Sequence, residues 1–139
     1  MNDILINKIQ SIQRCVQRAR EEYQADPDGF VTNYTRQDAA LLNVLRACET
    51  AIDLANYVIR ANKLGIPVSS ADSFKLLQTA HIIDNRLAER MEKMVGFRNT
   101  VVHQYTKINI DIVEAVITTE LDELIAFTDR IREYVNRIA

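Results

Sequence analysis

Residues 35–59 read TRQDAALLNVLRACETAIDLANYVI, a run free of both Gly and Pro. Leu41, Leu45, Cys48, Ile52, Ala55 and Ile59 alternate at spacings of four and three, which draws one apolar stripe along an α-helix. Thr35 with Asp38 three residues on resembles a capping box and predicts where the helix begins. Gly65 and Pro67 predict its end. A long helix with an apolar stripe must bury that stripe against other helices, so the fold class is all-α.

Outward from this segment the same rhythm recurs. A first helix is predicted from about Asn2 to Tyr23, with Leu5, Ile9, Ile12, Val16, Ala19 and Tyr23 on one face. The turn residues of QADPDGF end it, and the polar stretch VTNYTR connects it to the second. A short third helix, from about Ser70 to His81, carries Phe74 and Leu77 inward. The fourth spans about Asp84 to Gln104, with Leu87, Met91, Met94 and Val95 inward. Gly96 falls inside it, and a mid-helix glycine costs up to about 1 kcal/mol against Ala, which predicts a kink or a close approach there. In the fifth, starting near Asn109, Ile110, Ile117, Leu124, Ile131 and Ile138 recur every seventh residue, joined by Val113 and Phe127. No run reads as a strand. The expectation is an antiparallel up-and-down bundle of about five helices, with residues 1–139 as a single domain. The sustained stripes of the second and fifth helices leave apolar surface for a second copy, which predicts a symmetric homodimer.

Composition narrows the function classes. Hydrophobic residues make up 47% of the 139, which argues against disorder, and three Gly with two Pro are too few for a many-turned β protein. A net charge of −2 does not describe a general nucleic-acid or membrane binder, so an RNA site would have to be a local basic patch. The opening MNDILINKIQ lacks the features of a secretory signal, and no apolar run approaches the roughly 18–20 residues that span a bilayer. Cys15 and Cys48 fall on apolar stripes and read as small buried thiols in a reducing compartment. A soluble cytoplasmic protein is expected.

The chemistry concentrates in GFRNTVVHQY, residues 96–105, which places Arg98, His103 and Tyr105 together in a chain with only two histidines and no metal-ligand cluster. Arg is a permanent cation whose planar fork fits phosphate oxygens. His, with an unperturbed pKa of about 6.5, gives or takes a proton near neutral pH. On a straight helix Arg98 and Tyr105 lie about 20° apart on one face, and Asn99 and His103 share a strip about 40° wide. His103 is turned about 140° from Arg98, so convergence requires the helix to end or bend near His103, or a second protomer to bring its own copy. Arg86, Arg90 and Lys93 form a basic strip on the fourth helix, with Lys107 beyond the motif. They could guide a polyanion. The plainer alternative is that Glu89 and Glu92 neutralise the strip as ordinary surface pairs.

FRNTVVHQY matches the Arg, four residues, His, one residue, Tyr signature of the HEPN (higher eukaryote and prokaryote nucleotide-binding) superfamily. More closely, the chain resembles the HepT-like toxins that pair with minimal nucleotidyltransferase antitoxins. The resemblance also takes in RACETAIDLANYVI, SSADSFKLL and MEKMVGFRNTVVHQYTKINIDIV. It implies a helical bundle whose dimer brings two motifs to one cleft, and a metal-independent endoribonuclease with no cofactor. Arg98 would hold the scissile phosphate, and His103 would act as general acid or base. Asn99 would orient His103 or the substrate, and Glu49 and Asp53 of the second helix would support Arg98 or His103. Tyr105 would be the hydroxyl to which the antitoxin adds AMP. A non-enzymatic subunit that binds a nucleotide, or presents a substrate to a nucleotidyltransferase, is the alternative. An inactive scaffold is a third reading. Taken singly, Arg98 reads as a surface arginine, His103 as a helix-end histidine, and Tyr105 as an amphipathic residue at the bundle edge. His81 reads as structural, and Met91 and Met94 as core.

Overall fold

The computed structural model of the chain describes residues 2–138. Its helices are α1 (Asp3–Gln24), α2 (Tyr34–Ala61), α3 (Ser70–Thr79), α4 (Asn85–His103), α5 (Ile110–Ala115) and α6 (Leu121–Ile138). A π-helical turn, Val116–Glu120, joins α5 to α6, so the expected fifth helix is one rod with a wider turn in it. No strand occurs among the described residues.

Each helix start follows from a short polar side chain that accepts an otherwise unpaired backbone N–H. Asn2, Asn33, Ser69, Asp84 and Asn109 cap α1, α2, α3, α4 and α5 in turn, accepting from the N–H of Leu5, Arg36, Asp72, Leu87 and Asp111. The cap of α2 corrects the capping box expected at Thr35. Asn33 has extended backbone geometry and reaches Arg36 N, while Thr35 already lies within the first turn. Just before it, Phe30 is fully buried in a short 3-10 turn and meets the Tyr23 ring edge-on at 5.1 Å. The polar connector thus begins from an apolar anchor.

The core forms around α2. Its expected stripe is buried at Leu41, Cys48, Ile52, Ala55 and Ile59, but Leu45 is only partly covered. A second row, Ala40, Val44, Ala47, Ala51, Leu54 and Val58, is buried as well, because α1, α3, α4 and α6 all pack on this helix. The inward residues expected of α1, α3 and α4 are buried except Tyr23, which is only partly covered, and Ile117, Leu124 and Ile131 of the last rod are buried too. Phe74 of α3 and Phe127 of α6 meet edge to face at 5.4 Å. Ile138, the end of the heptad series, is half exposed. Cys15 and Cys48 are buried and unpaired, and burial pushes the Cys48 thiol up to about 12, which makes it unreactive.

Two expectations change. The third helix stops at Thr79, and His81 beyond it adopts a left-handed backbone, φ 61°. At Gly96, α4 continues unbroken and a Cβ would meet nothing within 4 Å, so no close approach within the chain calls for the glycine.

Two measurements check this reading. Asn33→Ala should lower stability in urea unfolding by about 1 kcal/mol, whereas Thr35→Ala changes it little. Gly96→Ala, placed in open space on a regular helix, should raise the stability of the isolated chain by about 0.5–1 kcal/mol.

Candidate active site

The motif straddles the end of α4. Arg98 lies in the penultimate turn, His103 is the last helical residue, and Tyr105 opens a 3-10 turn, Tyr105–Lys107, that follows the cap at Gln104. The helix therefore ends where convergence required it to end. The same ending removes the straight-helix relation between Arg98 and Tyr105, which do not share a face of α4.

Arg98 turns inward and its side chain is only 19% exposed. Its Nη2 donates to the hydroxyl of Ser70, the first residue of α3, at 3.0 Å. Its Nε lies 3.2 Å from Glu49 Oε1 of α2, an ion pair whose N–H is not aligned for a hydrogen bond. The guanidinium thus sits where α2, α3 and α4 meet. Its charge also reaches the Cys48 thiol, where it opposes the larger effect of burial.

Tyr105 goes to a different place. Its ring is more than half exposed, and its hydroxyl donates to Asp38 Oδ1 at 3.0 Å, near the start of α2. That hydrogen bond, followed by the Asp38 charge and slight desolvation, raises the phenol above its ordinary value because it favours the protonated form. Asp38 and Glu49 are eleven residues apart on one continuous helix, so they lie on one face about 16 Å apart along its axis. Within one chain the acceptors of Tyr105 and Arg98 are separated by that length.

The remaining candidates divide. Glu49 is brought to Arg98, whereas no hydrogen bond or ion pair links Asp53, one turn further along α2, to Arg98 or His103. Asn99 and His103 are both exposed on α4, and no hydrogen bond joins them. Arg86 makes two hydrogen bonds to Glu123, of 2.7 and 3.2 Å, and Arg90 pairs with Glu120 at 3.5 Å. Carboxylates across the bundle, rather than Glu89 and Glu92, therefore neutralise these two members of the basic strip. Lys93 and Lys107 are exposed. Lys107 borders a groove of about 370 Å³ between the end of α4 and α5, together with Thr100, Gln104 and Ile112. A larger groove, about 590 Å³, lies at the far end of α2 beside Ile66 and Pro67 and includes no motif residue. Among the described residues no group of three or more His, Cys, Asp or Glu is placed to hold a metal, and no helix is long and apolar enough to cross a membrane.

The sequence reading missed Ser70 and Asp38 as partners of the motif. Ser70 sat beside a cap in SSADSFKLL, and Asp38 was read as half of a capping box. Each had a local explanation that concealed a distant contact.

A helical bundle with an Arg–His–Tyr motif at the end of its fourth helix defines a HEPN-type domain. The family model described as "Ribonuclease HepT-like" matches residues 12–131, and the chain belongs to that family. It is 45% identical over 132 residues to the mRNA nuclease HepT of Shewanella oneidensis, covering 95% of this chain and 98% of that one. The fold superimposes on the tri-AMPylated Shewanella oneidensis HEPN toxin solved in complex with its MNT antitoxin, with TM-score 0.90, 44% identity and coverage of 96% and 99% of the two chains. A toxin–antitoxin structure with AMP-PNP gives TM-score 0.90 at 43% identity over 95% and 99% of the chains. YutE, a cytosolic protein of unknown function from Bacillus subtilis, shares the fold, with TM-score 0.79 at 19% identity over 94% and 90% of the chains.

The pairing at Tyr105 is directly measurable. Asp38→Ala removes both the acceptor and the charge that raise the phenol, so its titration, followed by NMR of labelled tyrosine rings, should move down toward the ordinary value of about 10. An unchanged midpoint would rule out the pairing.

Proposed function

We propose that this chain is an endoribonuclease toxin, acting in the cytoplasm as a homodimer of single HEPN domains. RNA is cleaved without a metal, and the activity is silenced when a minimal nucleotidyltransferase antitoxin adds AMP to Tyr105. The observation that carries the catalytic part is the placement of Arg98. It is a guanidinium held from two sides at a three-helix junction, and its only anionic partner among the described residues, Glu49, is itself half exposed. The likeness to the Shewanella toxin supports the RNase activity and the AMP switch.

In this mechanism a ribose 2′-hydroxyl attacks the adjacent phosphorus. His103, exposed at the helix end, takes or gives the proton. Arg98 binds the phosphate oxygens and offsets the charge that grows on them. Arg98 faces α2 and α3 while His103 faces solvent, so one chain does not close the site. A two-fold axis that sets His103 of one copy against Arg98 of the other does. Asn99, on the exposed side of α4, orients the substrate or the partner histidine, and Lys93 and Lys107 contribute phosphate contacts. Arg86 and Arg90 are left out of the RNA surface because they are paired with Glu123 and Glu120. Asp53 has no supporting contact and is left out with them.

The AMP switch gains a geometric condition. Tyr105 is about 16 Å along α2 from the Arg98 junction of its own chain. Beyond a screening length of about 8 Å, a phosphate there does little to Arg98 of the same chain, but Tyr105 is two residues from His103, so the adduct lies beside the histidine that the two-fold axis sets against Arg98 of the other copy. The bulk of the adduct, which is of several AMP units on the Shewanella toxin, then obstructs the cleft sterically.

Arg98→Ala and His103→Ala should each reduce RNA cleavage by about a hundredfold or more, with wild-type cleavage persisting in EDTA. Mixing the two inactive variants discriminates the geometry. If Arg98 and His103 act across the dimer, half of a random mixture is mixed dimers with one intact site each, and about a quarter of wild-type activity returns. No recovery would place both groups in one chain. Stoichiometric ATP binding with no RNA cleavage would replace the enzyme by a nucleotide-binding subunit.

A further inference from the structure

Resting on the reading of Tyr105 as the AMP acceptor, we infer that Asp38 is the base that takes the phenolic proton when Tyr105 is modified, so that this chain carries half of the chemistry of its own silencing. The two side chains lie 67 positions apart in sequence, yet the hydroxyl donates to Asp38 Oδ1 at 3.0 Å. The contact is built from two fixed supports. Asp38 stands on the first turns of α2, whose axis is anchored in the core, and Tyr105 stands on the 3-10 turn that the end of α4 projects toward it. The pair is at the surface, with Tyr105 more than half exposed, and beside it Gln37, Leu41, Ile108 and Val113 line a small hollow of about 150 Å³. An incoming nucleotide can therefore reach the oxygen from the solvent side while Asp38 holds its hydrogen from behind.

The balance of the step is simple. Tyr105 Oη attacks the α-phosphorus of a nucleoside triphosphate presented by the nucleotidyltransferase. An Oη–phosphorus bond forms, the bond from that phosphorus to the oxygen bridging it to the β-phosphate breaks, and pyrophosphate leaves with the bond electrons. The proton passes from Oη to Asp38 Oδ1 and then to water. A hydrogen bond already made to the carboxylate aligns one lone pair of Oη outward and needs no rearrangement before transfer. Once the phosphate is attached, the donor is gone and two anions face each other, so the 3-10 turn loses its tie to α2.

Other ionisable residues stand on the same and neighbouring elements: Arg36 on α2, His103 at the end of α4, Lys107 on the same turn, and Asp111 and Glu114 on α5. Asp38 is the one that hydrogen-bonds the phenol and shifts its titration.

The test is the rate of AMP addition by the purified nucleotidyltransferase partner with ATP and magnesium, followed by intact mass across pH 7–9. Circular dichroism of each variant checks that the helices are retained. Asp38→Asn should slow addition by about a hundredfold at neutral pH, and the deficit should shrink by about tenfold per pH unit as hydroxide replaces the missing base. Asp38→Glu should restore most of the rate. Asp38→Asn modified as fast as wild type at every pH overturns the inference. So does a deficit that is constant with pH and not relieved by Asp38→Glu, which would make Asp38 a mere tether. Wild-type protein that takes up no AMP, or Tyr105→Phe that still takes it up, overturns the Tyr105 reading itself and is distinguished from both by the wild-type and Tyr105→Phe lanes alone.

Discussion

The burial of α2 is the constraint on which the rest of the structure depends. Two rows of its side chains are removed from water by four neighbouring helices, with Ala40, Ala47, Ala51 and Ala55 wholly buried. Small residues let neighbouring backbones come close, and close-packed interiors do not tolerate sliding by fractions of a turn. What remains outward on α2 is therefore fixed in register, and it includes Asp38 near the start and Glu49 three turns later. Each of these carboxylates holds one member of the motif, Tyr105 and Arg98 respectively. The helix sets the distance between Arg98 and Tyr105, the proposed phosphate ligand and the proposed site of AMP addition.

Magnitudes decide how Arg98 can be held by Glu49 and yet serve a phosphate. Glu49 is about half exposed, and ion pairs of that kind contribute roughly 0–1 kcal/mol. Hydrogen bonds from a charged donor to phosphate contribute about 1.5–3 kcal/mol and engage two N–H groups together. An arriving phosphate therefore wins the guanidinium or shares it. Before that, Glu49 and Ser70 keep a largely buried cation from being left unpaired, which would cost more than the pair yields. The pairs at Arg86 and Arg90 differ in kind. They tie α4 to the end of the π turn and the start of α6, and Glu123 is itself buried, so its bond to Arg86 is part of the packing of the bundle.

Most of the helical layout was legible because it rests on local rules. The stripes of α1, α3 and α4 are buried as their spacing predicts, save for the partly covered Tyr23 at the end of α1, and Asp84 and Asn109 mark helix starts within a residue of where the pattern places them. Thr35 misled because Asn33, an equally good cap by residue type, lies two residues earlier, and only backbone geometry separates them. The π turn at Val116–Glu120 was invisible, since one widened turn hardly disturbs a heptad series. The motif residues were recognisable by type and spacing. Their partners were not, because a contact between Tyr105 and Asp38 has no periodicity to reveal it. The helical wheel placed Tyr105 beside Arg98 by assuming that α4 continued, and the cap at Gln104 removes that assumption.

That early end to α4 is what allows one short segment to carry two separable activities. Had the helix run on to Tyr105, phenol and guanidinium would share a face, and any group attached to the tyrosine would lie on the cation that binds phosphate. Ending at His103, the chain turns Tyr105 away to the start of α2 while leaving the histidine at a free helix end. On the proposed reading, the modifying enzyme approaches the phenol from solvent, two residues from the histidine and about three turns of α2 from Arg98 of the same chain. In the proposed dimer, silencing then acts at the histidine beside the phenol and at Arg98 of the other copy, while about three turns of α2 separate the phenol from Arg98 of its own chain.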